Sequence, residues 1–286
     1  MKLIELQTIL DREFKIDRTD ENLIDFAVTD ENKSFINPDF LSKKTALMTD
    51  NSENVDIVLT SVFITKEIVK KALQYRNVLI LTHHQFDYFE DERGLQPIKP
   101  EYFEQLKKCG ISIYAAHAPL DTHSIYGTSK SLAELCGIQA EKYFYDYFGE
   151  PTALIGIIPE RSFDEYAEYV RNKLERPIIT TEKHTESVRK IGVVAGGGDL
   201  PDILQQVYDY GCDTLLTGTI EHRWNVPFIQ EGNKQFHELN HKLKLNLIGG
   251  THFGTERPAM IKLAAYFDRL KIPCKYIEDT VLLDAV

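Results

Sequence analysis

Short, continuously apolar runs recur along the chain, and amphipathic segments separate them. The runs are VDIVLT (55–60), NVLILT (77–82), ISIYAA (111–116), ALIGII (153–158), IGVVAG (191–196), DTLLTG (213–218) and LNLIGG (245–250). Runs of Val, Ile and Leu without polar alternation are typical of strands covered on both faces. Helices are predicted between them, at Thr65–Tyr75, Ser129–Cys136, Phe163–Leu174, Pro201–Tyr210 and Pro258–Leu270. This alternation predicts an α/β fold of two α/β units, in which helices flank mixed or largely parallel sheets.

Residues that favour helix ends support these assignments. In GTSKSLAELCG, Thr128 or Ser129 can serve as the N-cap and Gly137 as the left-handed terminator. In GTERPAMIKLAAYFDRL, Thr255 takes the cap position and Pro258 falls in the first turn, where a missing N–H costs little. The amino-terminal stretch MKLIELQTILDREFKI predicts an amphipathic helix rather than a signal peptide, because charged residues interrupt its apolar positions.

No Gly/Ser-rich or low-complexity linker divides the chain, so domain boundaries are predicted from breaks in the strand and helix pattern. The two breaks fall near Gly137–Phe148 and near Gly232–Asn240. They predict a first α/β domain made of residues 1–137 and 236–286, and a second α/β domain, residues 138–235, inserted into it.

The excess of acidic residues disfavours nucleic acids and anionic membranes as partners. Lys and Arg total 33 against 44 Asp and Glu, which gives a net charge of −11. An acidic surface repels nucleic-acid phosphates and anionic lipids, so neither nucleic-acid nor membrane binding is expected. No apolar run approaches the roughly 18 residues of a membrane span. The four cysteines form no C-x-x-C pair, which is typical of scattered thiols in a reducing compartment, and we expect a cytoplasmic protein.

Histidines follow three of the predicted strands, at the ends where ligand-binding groups collect in open α/β sheets. His83 and His84 come directly after NVLILT. Neighbouring side chains diverge within a strand, but beyond the strand end the backbone can turn both rings inward. A polar loop with one buried and one exposed histidine is the alternative.

The other two strand ends each pair a histidine with a carboxylate four residues later. His117 and Asp121 follow ISIYAA, and Pro119 disfavours helix at the residue before it, so we expect a loop that doubles back over the strand end. His252 and Glu256 follow LNLIGG, and Glu256 is expected to begin the next helix. An Asx-type turn and a simple helix-start glutamate are the alternatives.

Together the three strand ends supply four histidines and two carboxylates, and five of these side chains would complete a binuclear metal set. Imidazole and carboxylate ligands suit Zn, Fe, Mn and similar divalent ions, and a carboxylate can bridge two of them. Two such ions about 3.5–4 Å apart polarise an electrophile and lower the pKa of a bridging water. The sequence therefore predicts a metal site at the carboxyl-terminal ends of the strands.

Four blocks of the sequence carry a family resemblance. The blocks are LTHHQFDYF, AAHAPLDTHSIYGTSKSLAELCGI, IGVVAGGGDLPDILQQVYDYGCDTLLTGTIEH and GGTHFGTE. In this order they resemble the blocks of the dinuclear metal-centre hexameric family, which is also called YbgI-like or NIF-three-like. Members are commonly labelled GTP cyclohydrolase type 2 homologues. The similarity covers nearly the whole chain beyond about residue 55.

The resemblance implies a NIF-three-like fold and two divalent ions per chain, of Zn, Fe, Mn or a similar metal. The implied metal ligands are His83, His84, Asp121, His252 and Glu256, with Glu256 as the bridge. His117 matches the first histidine of the family's H-x-x-x-D block, and we expect it beside the metals, in contact with a ligand or with the substrate. These residues make the predicted first domain the metal-binding one.

The chain also departs from the family pattern. The segment Gln85–Phe89 replaces the Pro and apolar residues that follow the histidine pair in the family. Thr251 and Phe253 flank His252, where the family has Gly and Tyr, and the amino-terminal block is poorly matched. These departures indicate where a difference in substrate would begin.

Two further features are candidates for substrate contact. Gly197 and Gly198, in VVAGGGDLPD, lie between a strand and a helix, where backbone N–H groups can hold an anion, and a tight structural turn is the alternative. The spacing is not the G-x-G-x-x-G of a dinucleotide site. His222 follows another strand and is a second catalytic candidate beside His117, or else a surface or core histidine.

These observations predict a metal-dependent hydrolase in which a metal-bridging hydroxide attacks a phosphorylated or nucleotide-like substrate. Its cationic site favours an anionic group. The alternative is a non-enzymatic metal-binding scaffold or regulator that acts through protein partners. The resemblance implies a toroidal homohexamer in either case, and direct DNA binding through such a ring conflicts with the charge balance.

Overall fold

A computed structural model describes residues 1–18, 21 and 28–285 of the chain. The strands are β1 Ala46–Thr49, β2 Ile57–Ser61, β3 Val78–Thr82, β4 Asp87–Tyr88, β5 Leu95–Gln96, β6 Ile111–Ala115, β7 Gln139–Tyr147, β8 Glu150–Ser162, β9 Thr180–Glu182, β10 Ser187–Val194, β11 Thr214–Thr217, β12 Asn246–Gly249 and β13 Cys274–Tyr276. The helices are α1 Leu3–Glu13, α2 Pro38–Lys43, α3 Lys66–Ala72, α4 Pro100–Lys108, α5 Ala118–Asp121, α6 Thr128–Leu135, α7 Phe163–Lys173, α8 Pro201–Asp209, α9 Pro227–Leu243, α10 His252–Lys262, α11 Ala264–Leu270 and α12 Thr280–Asp284. Each strand and helix predicted from the apolar pattern overlaps an observed one.

Contacts divide the chain into two compact units. The first contains Met1–Phe89, Leu95–His123 and Met260–Val281, and the second contains Glu90–Gly94, Ser124–Ala259 and the residues from Leu282 onward. Neither predicted break falls between secondary-structure elements, because β7 lies in the first and α9 crosses the second. Residues 124–137 and 236–259, which the sequence pattern assigns to the first domain, lie in the second unit. Helix α6 packs on the core of the second sheet, and β12 pairs with β11 and β9.

The first unit is built on a five-stranded sheet with the order β1-β6-β3-β2-β13. Only β1 runs antiparallel to its neighbour, and the strands from β6 to β13 are parallel. The central strand β3 is buried along its whole length, as its uninterrupted apolar run predicts. Because β3 and β6 are parallel and Thr82 pairs with Ala115, the residues that follow these two strands emerge side by side.

The second unit is built on a six-stranded sheet with the order β7-β8-β10-β11-β12-β9. The three strands β10, β11 and β12 are parallel, and the outer strands pair antiparallel. Val194 pairs with Thr217, which in turn pairs with Gly249, so the loops after the three parallel strands leave from the same edge. Both sheets are flanked by helices, and the predicted α/β class with mixed sheets is confirmed.

The predicted amino-terminal helix and the predicted helix terminator agree with the structure, whereas the predicted cap of α6 does not. The apolar positions Leu3, Leu6 and Leu10 of α1 are buried, and Gly137 has the positive φ of 69° expected of a helix terminator. Helix α6 is capped by Gly127 rather than by Thr128 or Ser129, because it begins one residue earlier than predicted. Within the described residues, no helix is long and apolar enough to cross a membrane.

The four cysteines are free thiols, as predicted. Burial raises the pKa of Cys136 and of Cys212 to about 12, so both thiols are protonated at neutral pH. A protonated, buried thiol is a poor nucleophile and a poor metal ligand. Cys136 and Cys212 are therefore poor candidates for nucleophiles or metal ligands.

Candidate metal centre

His83 and His84 follow β3 with their rings packed against each other. The ring centroids are 4.3 Å apart, and the side chains of both residues are buried. The backbone N–H groups of His83 and His84 donate to Ser61 O and Val62 O, which fixes the turn beyond the strand. The inward turn of both rings is thus confirmed, and the alternative with one exposed ring is excluded.

Each of these rings is held by a different contact. His83 Nδ1 lies 3.2 Å from Ala116 O and, in the tautomer that donates to this carbonyl, Nε2 faces Asp121 Oδ1 at 3.4 Å. His84 stacks on Phe63, with centroids 4.4 Å apart and planes 6° apart. Contacts within the protein therefore orient both histidines.

The segment that departs from the family pattern supports this stack. Tyr88 packs on Phe63, the ring that also stacks on His84, with centroids 4.3 Å apart. Gln85 is buried, and its Nε2 donates to Lys44 O at 3.0 Å. Phe86 and Tyr88 are also buried. In the first unit this segment is packing that orients His84, rather than an exposed loop.

His117 and Asp121 lie at the two ends of the short helix α5, so the predicted loop is wrong. Leu120 N and Asp121 N donate to His117 O at 2.9 Å and 3.1 Å, which closes a helical turn. Pro119 falls in the first turn of this helix, where a proline gives up no intrahelical hydrogen bond. The helical turn brings the side chain of Asp121 back toward the end of β3. The sequence predicts a loop that would place it there.

These residues form a group of donor atoms in the first unit. His83, His84 and His117 each offer one ring nitrogen, and the three nitrogens lie within 4.8 Å of one another. Asp121 Oδ1 is 3.4 Å from His83 Nε2, and Asp121 Oδ2 is 3.9 Å from His117 Nε2. Three imidazoles beside one carboxylate are the nitrogen and oxygen ligands that Zn, Fe and Mn prefer. The residues present therefore fit a divalent metal ion.

The carboxylate of Glu21 adds a contact that the sequence did not predict. Glu21 is wholly buried, its Oε2 lies 2.8 Å from His117 Nδ1, and its Oε1 accepts the N–H of Ala118 at 3.0 Å. Glu21 stands 96 residues before His117 in a stretch without a motif, so no spacing signal connects them.

In the second unit, His252 and Glu256 lie on α10, which begins at His252 rather than after Thr255. Thr251 provides the cap, because its Oγ1 accepts the N–H of Gly254 at 3.0 Å. Pro258 consequently falls inside the helix instead of in its first turn. The earlier start puts His252 and Glu256 one turn apart, with His252 Nε2 3.1 Å from Glu256 Oε1.

The glycine-rich loop after β10 packs closely against this pair. A Cβ on Gly196 would overlap Glu256 Oε1 and lie 3.2 Å from His252 Nε2. The N–H of Gly198 donates to Thr217 Oγ1 at 3.1 Å and lies 3.2 Å from Gly196 O, so it serves the turn itself. These contacts favour the tight structural turn over an anion site at Gly198.

His222 lies beside the same loop and pairs with an acidic residue. His222 Nε2 is 3.1 Å from Asp199 Oδ1, and Thr219 Oγ1 donates to the same carboxylate oxygen at 3.0 Å. Asn233 anchors the backbone, since it accepts the N–H of His222 and donates to its carbonyl. A Cβ on Gly197 would lie 3.7 Å from His222 Nε2. The second unit thus brings His222, Asp199 and Gly197 together.

The partners of the two catalytic candidates were the residues that sequence reasoning missed. Asp199 follows the three glycines directly, but no motif spacing links it to His222, and only the register of β10 and β11 brings the two together. Glu21 lies in the amino-terminal stretch where the family resemblance is poor. A search for acidic residues near each loop would have found Asp199, but not Glu21.

Comparisons with known proteins identify the family and the fold of the chain. The sequence profile described as Duf34/NIF3 (NGG1p interacting factor 3) matches residues 44–280. A Borreliella burgdorferi protein named GTP cyclohydrolase 1 type 2 homolog is 28% identical over 196 residues, which cover 67% of this chain and 70% of that protein. The solved structure of protein ybgI, described as of unknown function, has a TM-score of 0.72 at 20% identity and covers 98% of both chains. TTHA1606 from Thermus thermophilus has a TM-score of 0.69 at 22% identity, again over 98% of both chains. The chain belongs to the Duf34/NIF3 family.

Proposed function

We propose that the protein binds two divalent metal ions and hydrolyses a phosphorylated or nucleotide-like substrate. The observation that carries the proposal is the group of three ring nitrogens within 4.8 Å of one another, from His83, His84 and His117. Imidazole nitrogens gathered this closely are donors that divalent ions such as Zn, Fe and Mn bind.

The proposed ligands are those implied by the family resemblance. They are His83, His84 and Asp121 in the first unit, and His252 and Glu256 in the second. Bound divalent ions would polarise an electrophile and lower the pKa of a water molecule. Two such ions carry more positive charge than the carboxylates of Asp121 and Glu256 neutralise, so the proposed substrate is anionic. The name of the Borreliella relative is consistent with a nucleotide.

The chain's own residues would handle protons and orientation. His222, held by Asp199 at 3.1 Å, can take up or release a proton at its other ring nitrogen, Nδ1. The carboxylate fixes both the tautomer and the direction of the ring. His222 is therefore the residue we propose to face the substrate.

Removal of the metal should be visible both in stability and in turnover. We expect about two equivalents of metal per chain, measured by inductively coupled plasma mass spectrometry after purification without chelator. Dialysis against a chelator should lower the free energy of unfolding by about 2.7 kcal/mol for each metal site if the free metal had been at 100 times its Kd. Thermal unfolding with and without added metal checks this.

The activity arm of this experiment uses a panel of phosphoesters, nucleotides and nucleoside triphosphates. The metal-loaded protein should turn over at least one member, and the chelated protein none. Full metal loading with no turnover would support the alternative of a metal-binding scaffold. If no divalent ion binds even after reconstitution, the metal proposal itself is wrong.

We also propose that the chain assembles as a homohexamer, which the family resemblance implies. Multi-angle light scattering of the purified protein tests this directly, because a chain of 32.9 kDa would give about six times that mass. A monomer or dimer at micromolar concentration would contradict the ring.

A further inference from the structure

Among the described residues, the buried carboxylate of Glu21 contacts two groups, and both belong to the turn that carries His117. Its Oε2 lies 2.8 Å from His117 Nδ1, and its Oε1 accepts the N–H of Ala118 at 3.0 Å. The side chain has 0% exposure to solvent. A carboxylate is costly to bury unless its oxygens are hydrogen-bonded, so these contacts explain how Glu21 is retained inside the unit.

This pairing selects the tautomer of His117. A carboxylate accepts a hydrogen bond, so Nδ1 must carry a proton and Nε2 has the lone pair in the neutral ring. Nε2 lies 3.9 Å from Asp121 Oδ2, and His117 shares its donor group with His83 and His84. The ring is thus presented to that group with the nitrogen that can bind a metal.

His83 is held in the same way by a weaker partner. Its Nδ1 lies 3.2 Å from the backbone carbonyl of Ala116, whereas His117 Nδ1 lies 2.8 Å from the charged Glu21. A hydrogen bond to a carboxylate is shorter and stronger than one to a carbonyl, and it fixes the orientation of the ring more firmly. Of these two histidines, His117 has the stronger support.

We propose that Glu21 is a positioning residue that makes His117 an additional metal ligand in the first unit, beside His83, His84 and Asp121. This inference rests on the metal binding of the proposed function. Glu21 lies outside residues 44–280, the part of the chain that matches the family profile. The amino-terminal segment therefore contributes to the metal centre from a region that the family match does not cover.

The test is a Glu21→Gln variant, which keeps the size of the side chain but cannot accept both hydrogen bonds. Metal affinity is measured by competition with a chromophoric chelator, using Zn²⁺ as the probe. We expect affinity about 10–100-fold weaker than in the unmodified protein, the usual cost of losing a partner of a ligating histidine. In the metal-free protein, ¹⁵N NMR of the histidine rings should show His117 changing from the Nδ1–H tautomer to a mixture.

The matched control is Glu13→Gln. Glu13 Oε1 lies 3.3 Å from His123 Nε2, so this variant also removes a carboxylate beside a histidine of the first unit. Its Zn²⁺ affinity and the tautomer of His117 should be unchanged. Equal weakening in both variants would mean that loss of negative charge alone is responsible, and would overturn the proposal.

A double-mutant cycle with His117→Ala separates positioning from general destabilisation. If Glu21 acts through His117, Glu21→Gln should weaken Zn²⁺ binding no further in the His117→Ala background. A full additional loss there, or unchanged affinity and an unchanged tautomer in Glu21→Gln alone, would refute the proposal. If the unmodified protein binds no Zn²⁺, the proposed function fails, while the tautomer measurement still decides whether Glu21 orients His117.

Discussion

Replacing Glu256 with glutamine is expected to remove bound metal and, with it, any hydrolytic turnover. Glu256 is 3% exposed and lies 3.1 Å from His252 Nε2 through its Oε1. Glutamine has almost the same shape, but its amide carries no charge and is a much poorer ligand. Because loss of a mere partner of a ligand costs about 10–100-fold in affinity, loss of the ligand itself should exceed that range. Metal content after purification and turnover of the best substrate in the panel are the two measurements.

The control for this variant removes a different carboxylate that also contacts α10. Glu175→Gln breaks an ion pair with Arg257 at 2.8 Å, and the Glu175 side chain is 66% exposed. We expect this variant to keep its metal and its activity, because an exposed ion pair contributes little. Unchanged metal content in Glu256→Gln would show that Glu256 is not a ligand.

The fold class was predictable because buried parallel strands have a distinctive sequence. Strand β3 is buried along its whole length and consists of four apolar residues and a threonine in succession, and β11 and β12 are buried in the same way. The histidines were found for the same reason, since polar rings directly after such a run are conspicuous. The abrupt end of an apolar run also indicates the carboxyl-terminal end of a strand, where ligand-binding loops begin.

Helix ends were predicted less well, because several residues compete for each cap. Thr255 stands in a good cap position, but its Oγ1 donates to Thr251 O at 2.9 Å and accepts the N–H of Gly196 at 3.0 Å. Thr251 takes the cap instead. The choice of cap depends on the loop after β10, because Gly196 of that loop donates its N–H to Thr255 Oγ1. Gly196 is far from Thr255 in the sequence, so the local pattern does not reveal this contact.

The supporting residues could not be predicted from spacing at all. Glu21 and Asp199 reach their histidines only after the sheets form, and neither lies in a motif. The role of Tyr88 is similar, since its stack on Phe63 depends on the turn at the end of β3. The donors of the candidate centre can therefore be identified from the sequence, whereas tertiary packing decides how those donors are oriented.

The backbone at Gly196 is held so firmly that a side chain there must displace Glu256. Gly196 has a φ of 72°, its N–H donates to Thr255 Oγ1, and its carbonyl accepts the N–H groups of Gly218 and Thr219, both at 3.1 Å. A Cβ at this position would overlap Glu256 Oε1. Because the N–H and the carbonyl of Gly196 are both hydrogen-bonded, the backbone is fixed in place. A side chain at this position would therefore move the Glu256 carboxylate rather than the loop.

Gly196→Ala should consequently lose metal as Glu256→Gln does, and should lose stability as well. The positive φ costs alanine about 1–2 kcal/mol, and the overlap with Glu256 adds to this. Gly211→Ala is the matched control, because Gly211 also has a φ of 72° and no described atom lies within 4 Å of its Cβ position. Urea unfolding should show the backbone cost in both variants, whereas metal analysis should show a loss only in Gly196→Ala. Full metal content in Gly196→Ala, or equal metal loss in Gly211→Ala, would contradict the idea that this glycine makes room for the Glu256 carboxylate.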